Sequence, residues 1–543
     1  MISFNLYPFI EDKKSRFFKS YFFIITFFTF LILRIPLLEN HFFHCDDNPR
    51  LLTYPVFSHL IGSFFWWLSE VFHYKLFLKT PAFVFENFFT RAFSLFMSLL
   101  SLWSLLLVSK KIFRNNNITF FLGIIYCCSQ MSIIYSVHSS PYGYSILPIN
   151  LMLLYILYFD KSNFYSNRFL AIFLIIIIPY LSIFAIFLIP AFILTLLINT
   201  YSSQKEFKKI IRLNLITSIL LLINSLLVIV FQVIPMKNKI SDRALALNWN
   251  TGIKDQFLFN KGSILELFLN PLETIVFYFR NLILILENNI SPLNFIADIP
   301  INKLAMFSSF ILCPIILVGV YKLRKINNKV LMFAAFCITS FFVLVYFNFL
   351  TLSPTRHNLW ILTFTLILIA ASATILSNRV VNILALIILL SSALSYKNFF
   401  ESRKAKITYL SLKEMETKYD IDFFINYTSS SNSWFPNSTN VSKNFLKKNF
   451  KILKSQLHKN NFKEINCCLI SHRPVDNLSS NKEIKKLISF KKLLELNKLK
   501  DNVLKEDLIY ENYVFSNTEI GRSGFCSNGT NGVFVKIIKV YFK

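Results

Sequence analysis

The chain has 543 residues, 54% hydrophobic and 16% charged, with a mean hydropathy of +0.52, and that is too little charge to keep a soluble surface of this size wet. Its formal net charge of +28 would suit nucleic acid on a soluble protein. Here most short basic clusters flank apolar runs, so they read as determinants of membrane orientation, and no nucleic-acid partner is expected.

In chain order, apolar runs fall at about 21–38, 88–109, 117–137, 143–159, 168–200, 213–235, 304–321, 330–350, 358–377 and 380–396. The first is followed by an acidic loop instead of a small-residue cleavage site, so it is expected to remain as the first span. The run at 168–200 is too long for one crossing and carries Pro179 and Pro190, which predicts two short helices in a hairpin. About eleven spans result, which predicts an all-α polytopic membrane protein. Lys13, Lys14, Arg16 and Lys19 precede the first span. Lys110, Lys111 and Arg114, then Lys205, Lys208, Lys209 and Arg212, then Lys322, Arg324, Lys325 and Lys329 follow at alternate turns. Threaded through eleven spans, all fall on one side, which the positive-inside rule makes cytosolic. The expected location is the plasma (inner) membrane, multi-pass, with a cytosolic N-terminus.

The alternate loops, 38–87 and 236–303 foremost, then lie on the outer face. Residues 56–78 and 263–289 mix Phe, Trp and polar groups and suit helices in the membrane interface; a hidden span in the second would invert the later topology. Residues 1–397 form the transmembrane unit. Residues 398–543 lose apolar content and are expected to form a small α+β domain on the outer face. Its predicted strands are 419–427, 464–472, 513–517 and 532–542, and its predicted helices are 443–459 and 482–500. No C-x-x-C spacing occurs, so no zinc site is expected. A bridge from Cys526 to Cys467 or Cys468 is open if this tail is outside the cytosol.

Within "HFFHCDDNPRLLTYP" (41–55), Asp46 and Asp47 stand beside Arg50 and a Tyr54-Pro55 step. Solvated loop acids are the plain alternative. A carboxylate near an apolar surface, however, has its pKa raised toward that of a useful base, and a second one raises it further or recruits a divalent cation. Arg34 near the end of the first span, Arg91 at the start of the second, Arg280 in the second long loop and Arg356 in "SPTRHNLW" all fall on the outer side. Snorkelling to headgroups would explain any one of them. Together with two acids, a shared anionic ligand is the more economical explanation, and the guanidinium fork suits a phosphate. Histidines on this face, and Trp66 and Trp67, are most simply interfacial.

The order of these groups resembles the polytopic GT-C glycosyltransferases, closest to the branch with protein O-mannosyltransferases and the lipid A aminoarabinose transferase. "LILRIPLLENHFFHCDD" looks like that branch's first span and outer acidic pair, with Asp46 on its Asp and Asp47 on its Glu. Tyr54-Pro55, Arg91 in "TRAFSLFMSLLSL", Tyr142 and Tyr144 in "HSSPYGYS" and Arg356 resemble later positions. An Arg often found in the Tyr segment is missing, and His138 is the nearby basic residue. The resemblance covers residues 1 to about 397. It implies transfer of a sugar from a polyprenyl-phosphate donor to a hydroxyl of a lipid, glycan or protein acceptor. Asp46 would be the general base, and Asp47 would orient the acceptor or bind a metal. Arg356, with Arg91 or Arg280, would hold the phosphate, and Arg34, Arg50, Tyr54, His138, Tyr142 and Tyr144 would complete the substrate site. A flippase or carrier, or a ligase, for lipid-linked glycans is the alternative; the absence of an internal repeat weighs against the carrier.

Overall fold

Lipid offers no partners for backbone N–H and C=O groups, so an apolar segment of bilayer length closes its hydrogen bonds within itself as a helix. A computed structural model describes residues 20–38, 64, 88–137, 143, 145–158, 164–202, 208–233, 271–290, 301–346, 356–403, 418–420, 423–426, 464–474, 503–516 and 531–542. Up to Arg403 these are predominantly helical. The helices are α1 (Tyr21–Ile32), α2 (Phe88–Phe113), α3 (Asn116–Cys128), α4 (Gln130–Ser136), α5 (Ile146–Tyr158), α6 (Phe164–Leu181), α7 (Ile183–Ser202) and α8 (Lys208–Val228). There follow α9 (Pro271–Ile290), α10 (Ile301–Ile326), α11 (Asn328–Tyr346), α12 (Leu362–Ala373) and α13 (Asn378–Arg403). Short 3-10 turns at Ile35–Leu38 and Arg356–Ile361 extend α1 and introduce α12.

Among the described residues, five segments are long and apolar enough to cross a membrane: Tyr21–Leu38, Arg91–Phe113, Arg212–Phe231, Asn328–Val345 and Asn378–Lys397. Shorter apolar helices fill the space between them. This is an α-helical membrane protein. Exposed Ile and Leu along α8 and α13 are the surface expected of helices that face acyl chains.

Local chemistry sets the breaks. Arg114 ends α2 in a left-handed conformation (φ 53°), and Asn115 caps α3 by accepting from the backbone N–H of Asn117 at 2.9 Å. The single predicted run at 117–137 is divided at Ser129. This residue is extended, and its hydroxyl accepts from Ser132 N to cap α4. The run at 168–200 becomes α6 and α7, separated by Ser182. Tyr180 donates to Asn224 on α8, whereas Phe192 packs edge-on against Tyr155 and Phe333, so α7 runs back along the bundle as a hairpin partner of α6.

Polar side chains tie the helices together where hydrophobicity gives no preference between a neighbouring helix and lipid. Asn150 on α5 donates to Ser101 O (2.9 Å) and Ser104 Oγ (3.0 Å) on α2, and accepts from Thr363 Oγ1 on α12 (3.0 Å). Glycine allows the closest backbone approach: a Cβ on Gly319 of α10 would collide with the carbonyl of Leu368 on α12. Asn150→Leu is expected to lower stability by about 1–2 kcal/mol, because three interhelical hydrogen bonds are lost. The unfolding midpoint in detergent measures this; an unchanged midpoint would mean that the network adds nothing to helix association.

One end of the bundle is defined by side-chain contacts. Lys111 Nζ sits 4.4 Å above the Tyr158 ring, Asn115 donates to Asn378 at 3.0 Å, and Asn382 donates to Asn117 at 3.0 Å. The basic turn Lys110–Arg114 therefore lies beside the end of α5 and the start of α13.

The tail contains a four-stranded sheet, β1 (Phe423–Asn426), β2 (Glu464–Pro474), β3 (Val503–Ser516) and β4 (Asn531–Phe542), in the order β1-β2-β4-β3. β1 pairs parallel to β2, and β4 pairs antiparallel to both β2 and β3. Ile537, Ile538 and Val540 of the central strand β4 are buried. β3 begins ten residues earlier than the predicted 513–517. Register shifts between Val503 and Lys505 and between Leu508 and Tyr510 interrupt its alternation, which conceals the strand in the sequence. Lys539 pairs with Glu464 of β2 at 2.8 Å, which raises its pKa above the ordinary lysine value. The helices predicted at 443–459 and 482–500, and Cys526, lie outside the described residues.

Candidate functional site

Arg34 closes the first span, and its environment is the most fully formed polar site among the described residues. The side chain is completely buried. Its Nε donates to Ser136 Oγ at 2.8 Å and its Nη2 to Ser132 Oγ at 2.9 Å. Its Nη1 donates to Phe30 O at 3.2 Å and Cys127 O at 3.0 Å. Four of the five N–H groups of a guanidinium are thus engaged. The cation also lies 4.1 Å from the centre of the Phe30 ring and 6.0 Å from that of Tyr126. The neighbouring carbonyl, Leu33 O, accepts from Tyr396 of α13 at 3.3 Å.

This arrangement follows from sequence spacing. Ser132 and Ser136 are four apart and share one face of α4. The break at Ser129 angles that helix, and Cys127 belongs to the last turn of α3, whose carbonyls are left without intrahelical donors. Gly143 lies against the backbone of Tyr135 and Ser136, where any Cβ would collide with the Tyr135 carbonyl. Sequence reasoning did not single out Ser132 and Ser136; their spacing opposite a span-end arginine was the available signal. The guanidinium is enclosed by protein acceptors and binds α1 to α3 and α4, immediately before the segment that carries the acidic pair.

Of the other predicted arginines, Arg91, Arg280 and Arg356 are carried by elements at the same end of the bundle, remote from Lys110–Arg114. Arg91 stands in the first turn of α2, about 30 Å along that helix from Lys111, and is 3% exposed and not a free cation. Arg356 begins the 3-10 turn that seats Trp360 edge-on against Phe341 and Phe364. That turn touches α4, α5 and α9. Arg280 is exposed on α9, which touches α4, α10, α12 and the same turn. Tyr278, two residues before Arg280, donates to Phe342 O at 3.4 Å near the end of α11 opposite the Lys322–Lys329 turn.

α9 answers the expectation for 263–289 in part. It is a regular helix, and it is not among the helices apolar enough to cross a membrane. The helix expected at 56–78 lies outside the described residues apart from Phe64. Asp46, Asp47, Arg50, Tyr54, His138, Tyr142 and Tyr144 also lie outside them. The segments that lead to them do not: α1 ends at the Arg34 cluster, and Val137, Gly143 and Ser145 bracket the Tyr segment. Among the described residues no three His, Cys, Asp or Glu side chains gather to hold a metal ion.

The elements that carry Arg91, Arg280 and Arg356, namely α2, α9 and the 356–361 turn, share the end of the bundle at which α1 stops. Comparison with known proteins finds no matching family model, no matching curated protein and no matching solved structure.

Proposed function

We propose that this protein is a membrane glycosyltransferase that moves a sugar from a polyprenyl-phosphate donor to an acceptor hydroxyl at the outer face of the membrane. Its GT-C-like unit crosses the bilayer about eleven times with a cytosolic N-terminus, and its tail is extracytoplasmic. The observation that supports this reading is the gathering of the elements that bear Arg91, Arg280 and Arg356 at the bundle end where α1 stops, a few residues before Asp46 and Asp47 in the sequence. Nucleotide sugars are cytosolic, so a site on the far side draws its donor from the membrane, with the phosphate at headgroup depth.

In the reaction, Asp46 takes the proton of the acceptor hydroxyl as its oxygen attacks the anomeric carbon. The bond to the phosphate oxygen breaks with its electron pair on the phosphate, and Arg356 with Arg91 or Arg280 stabilises the charge that develops there. In-line attack inverts the anomeric centre. Asp47 orients the acceptor or, with Asp46, holds a divalent cation. Arg34 acts through position, by fixing the end of α1 twelve residues before Asp46.

The test is transfer from a panel of labelled polyprenyl-phosphate sugars by membranes that contain the protein. Label moving into a lipid, glycan or protein acceptor supports the proposal. Label that crosses the bilayer still joined to its polyprenyl phosphate would replace it with a carrier, and transfer of a preassembled glycan alone would replace it with a ligase.

A further inference from the structure

The N-terminal half of α9 presents an apolar stripe that the described residues do not cover. Leu272 (75% exposed), Ile275 (63%), Val276 (55%) and Phe279 (58%) follow the spacing of one helix face. The exposed Arg280 borders this face, four residues after Val276 and eight after Leu272. Its other half is different: Asn281, Ile283 and Ile285 are buried, so the helix is rooted in the bundle by its C-terminal half. Tyr278 faces inward and anchors the middle on Phe342. The stripe thus lies at the bundle end remote from the Lys110–Arg114 turn.

We propose that this stripe with Arg280 is a docking site for an anionic phospholipid. Acyl chains lie along Leu272, Ile275, Val276 and Phe279, and the lipid phosphate is bound by the Arg280 guanidinium. Charge complementarity selects the occupant. A cation at the border of an acyl-facing stripe meets a phosphate at headgroup depth, which its fork can bind through two oxygens. A second copy packed face to face with its α9 parallel would bring Arg280 against its own image. Glu273 lies on the same side as Arg280, about 10 Å along the axis, farther than the spacing at which helix side chains pair. The inference rests on the membrane setting and not on the transferase reading. It assigns Arg280 to a bound lipid, which leaves Arg91 as the companion of Arg356 in that reading.

The experiment is native mass spectrometry of the full chain in detergent, titrated with phosphatidylglycerol or phosphatidylcholine of identical chains and with no sugar donor. The wild type is expected to retain phosphatidylglycerol about fivefold better than phosphatidylcholine. Arg280→Gln is expected to remove that preference, Arg280→Lys to keep most of it, and Phe279→Ser to weaken retention of both lipids. Soluble glycerol phosphate is expected not to displace the lipid. Equal retention of both lipids by the wild type, full preference in Arg280→Gln, displacement by glycerol phosphate, or a dimer abolished by Phe279→Ser would each overturn the proposal. Since no donor is present, none of these outcomes depends on whether the protein transfers a sugar.

Discussion

With asparagine at position 46, sugar transfer is expected to fall by about 10²–10⁴-fold, the range that a positioned general base supplies. Asn keeps the shape and polarity of Asp but cannot take the acceptor proton. Phosphate is already a good leaving group, so the proton transfer and the charge developing on the phosphate are the steps left for side chains to assist. The variant is therefore expected to insert, fold and bind donor as the wild type does, with the loss confined to turnover. Transfer of labelled sugar in membranes, compared at matched protein level, measures it. Wild-type turnover in Asp46→Asn would remove Asp46 from the mechanism, and loss of the folded protein would make its role structural.

Replacing Arg34 by alanine is expected to destabilise the protein by about 2–4 kcal/mol. Four hydrogen bonds disappear, three of them to α3 and α4, and the ring contacts with Phe30 and Tyr126 go with them. The loss is held to a few kcal/mol because interhelical hydrogen bonds inside a membrane are individually modest and because a buried cation leaves with the side chain. Arg34→Lys is expected to recover little: an ammonium is a point charge that cannot reach Ser132, Ser136 and Cys127 O in the plane that the guanidinium fork spans. Unfolding midpoints in detergent decide it. An Arg34→Ala variant as stable as wild type would show that the cluster does not hold α1 in place, and Arg34 would then be free for another role.

Sequence patterning went furthest where the physics is local. Bilayer-length apolar runs became helices because the lipid leaves the backbone no other partner, and α1 with its 3-10 extension, α2, α8, α11 and α13 are long and apolar enough to cross. The hairpin at 168–200 was legible because its length exceeds one crossing. Three of the strands start within a few residues of the expected positions, while β3 was half hidden by its bulges. Other features needed partners distant in the chain. The break at Ser129 depends on a cap that no hydropathy pattern carries. The rooting of α9 depends on Phe342 and the 356–361 turn, which lie more than sixty residues downstream.

Arg34 marks the division most clearly. Composition and spacing by themselves determined that the chain enters a membrane, which turns carry positive charge, and that an arginine ends the first span. Whether that arginine faces a ligand or the protein was decided by Ser132, Ser136 and Cys127, brought to it across about a hundred residues of chain by the packing of α1 on α3 and α4. The reason is physical. Transfer into lipid depends on each segment alone, whereas a hydrogen bond to a buried cation exists only once two helices have come together at one register.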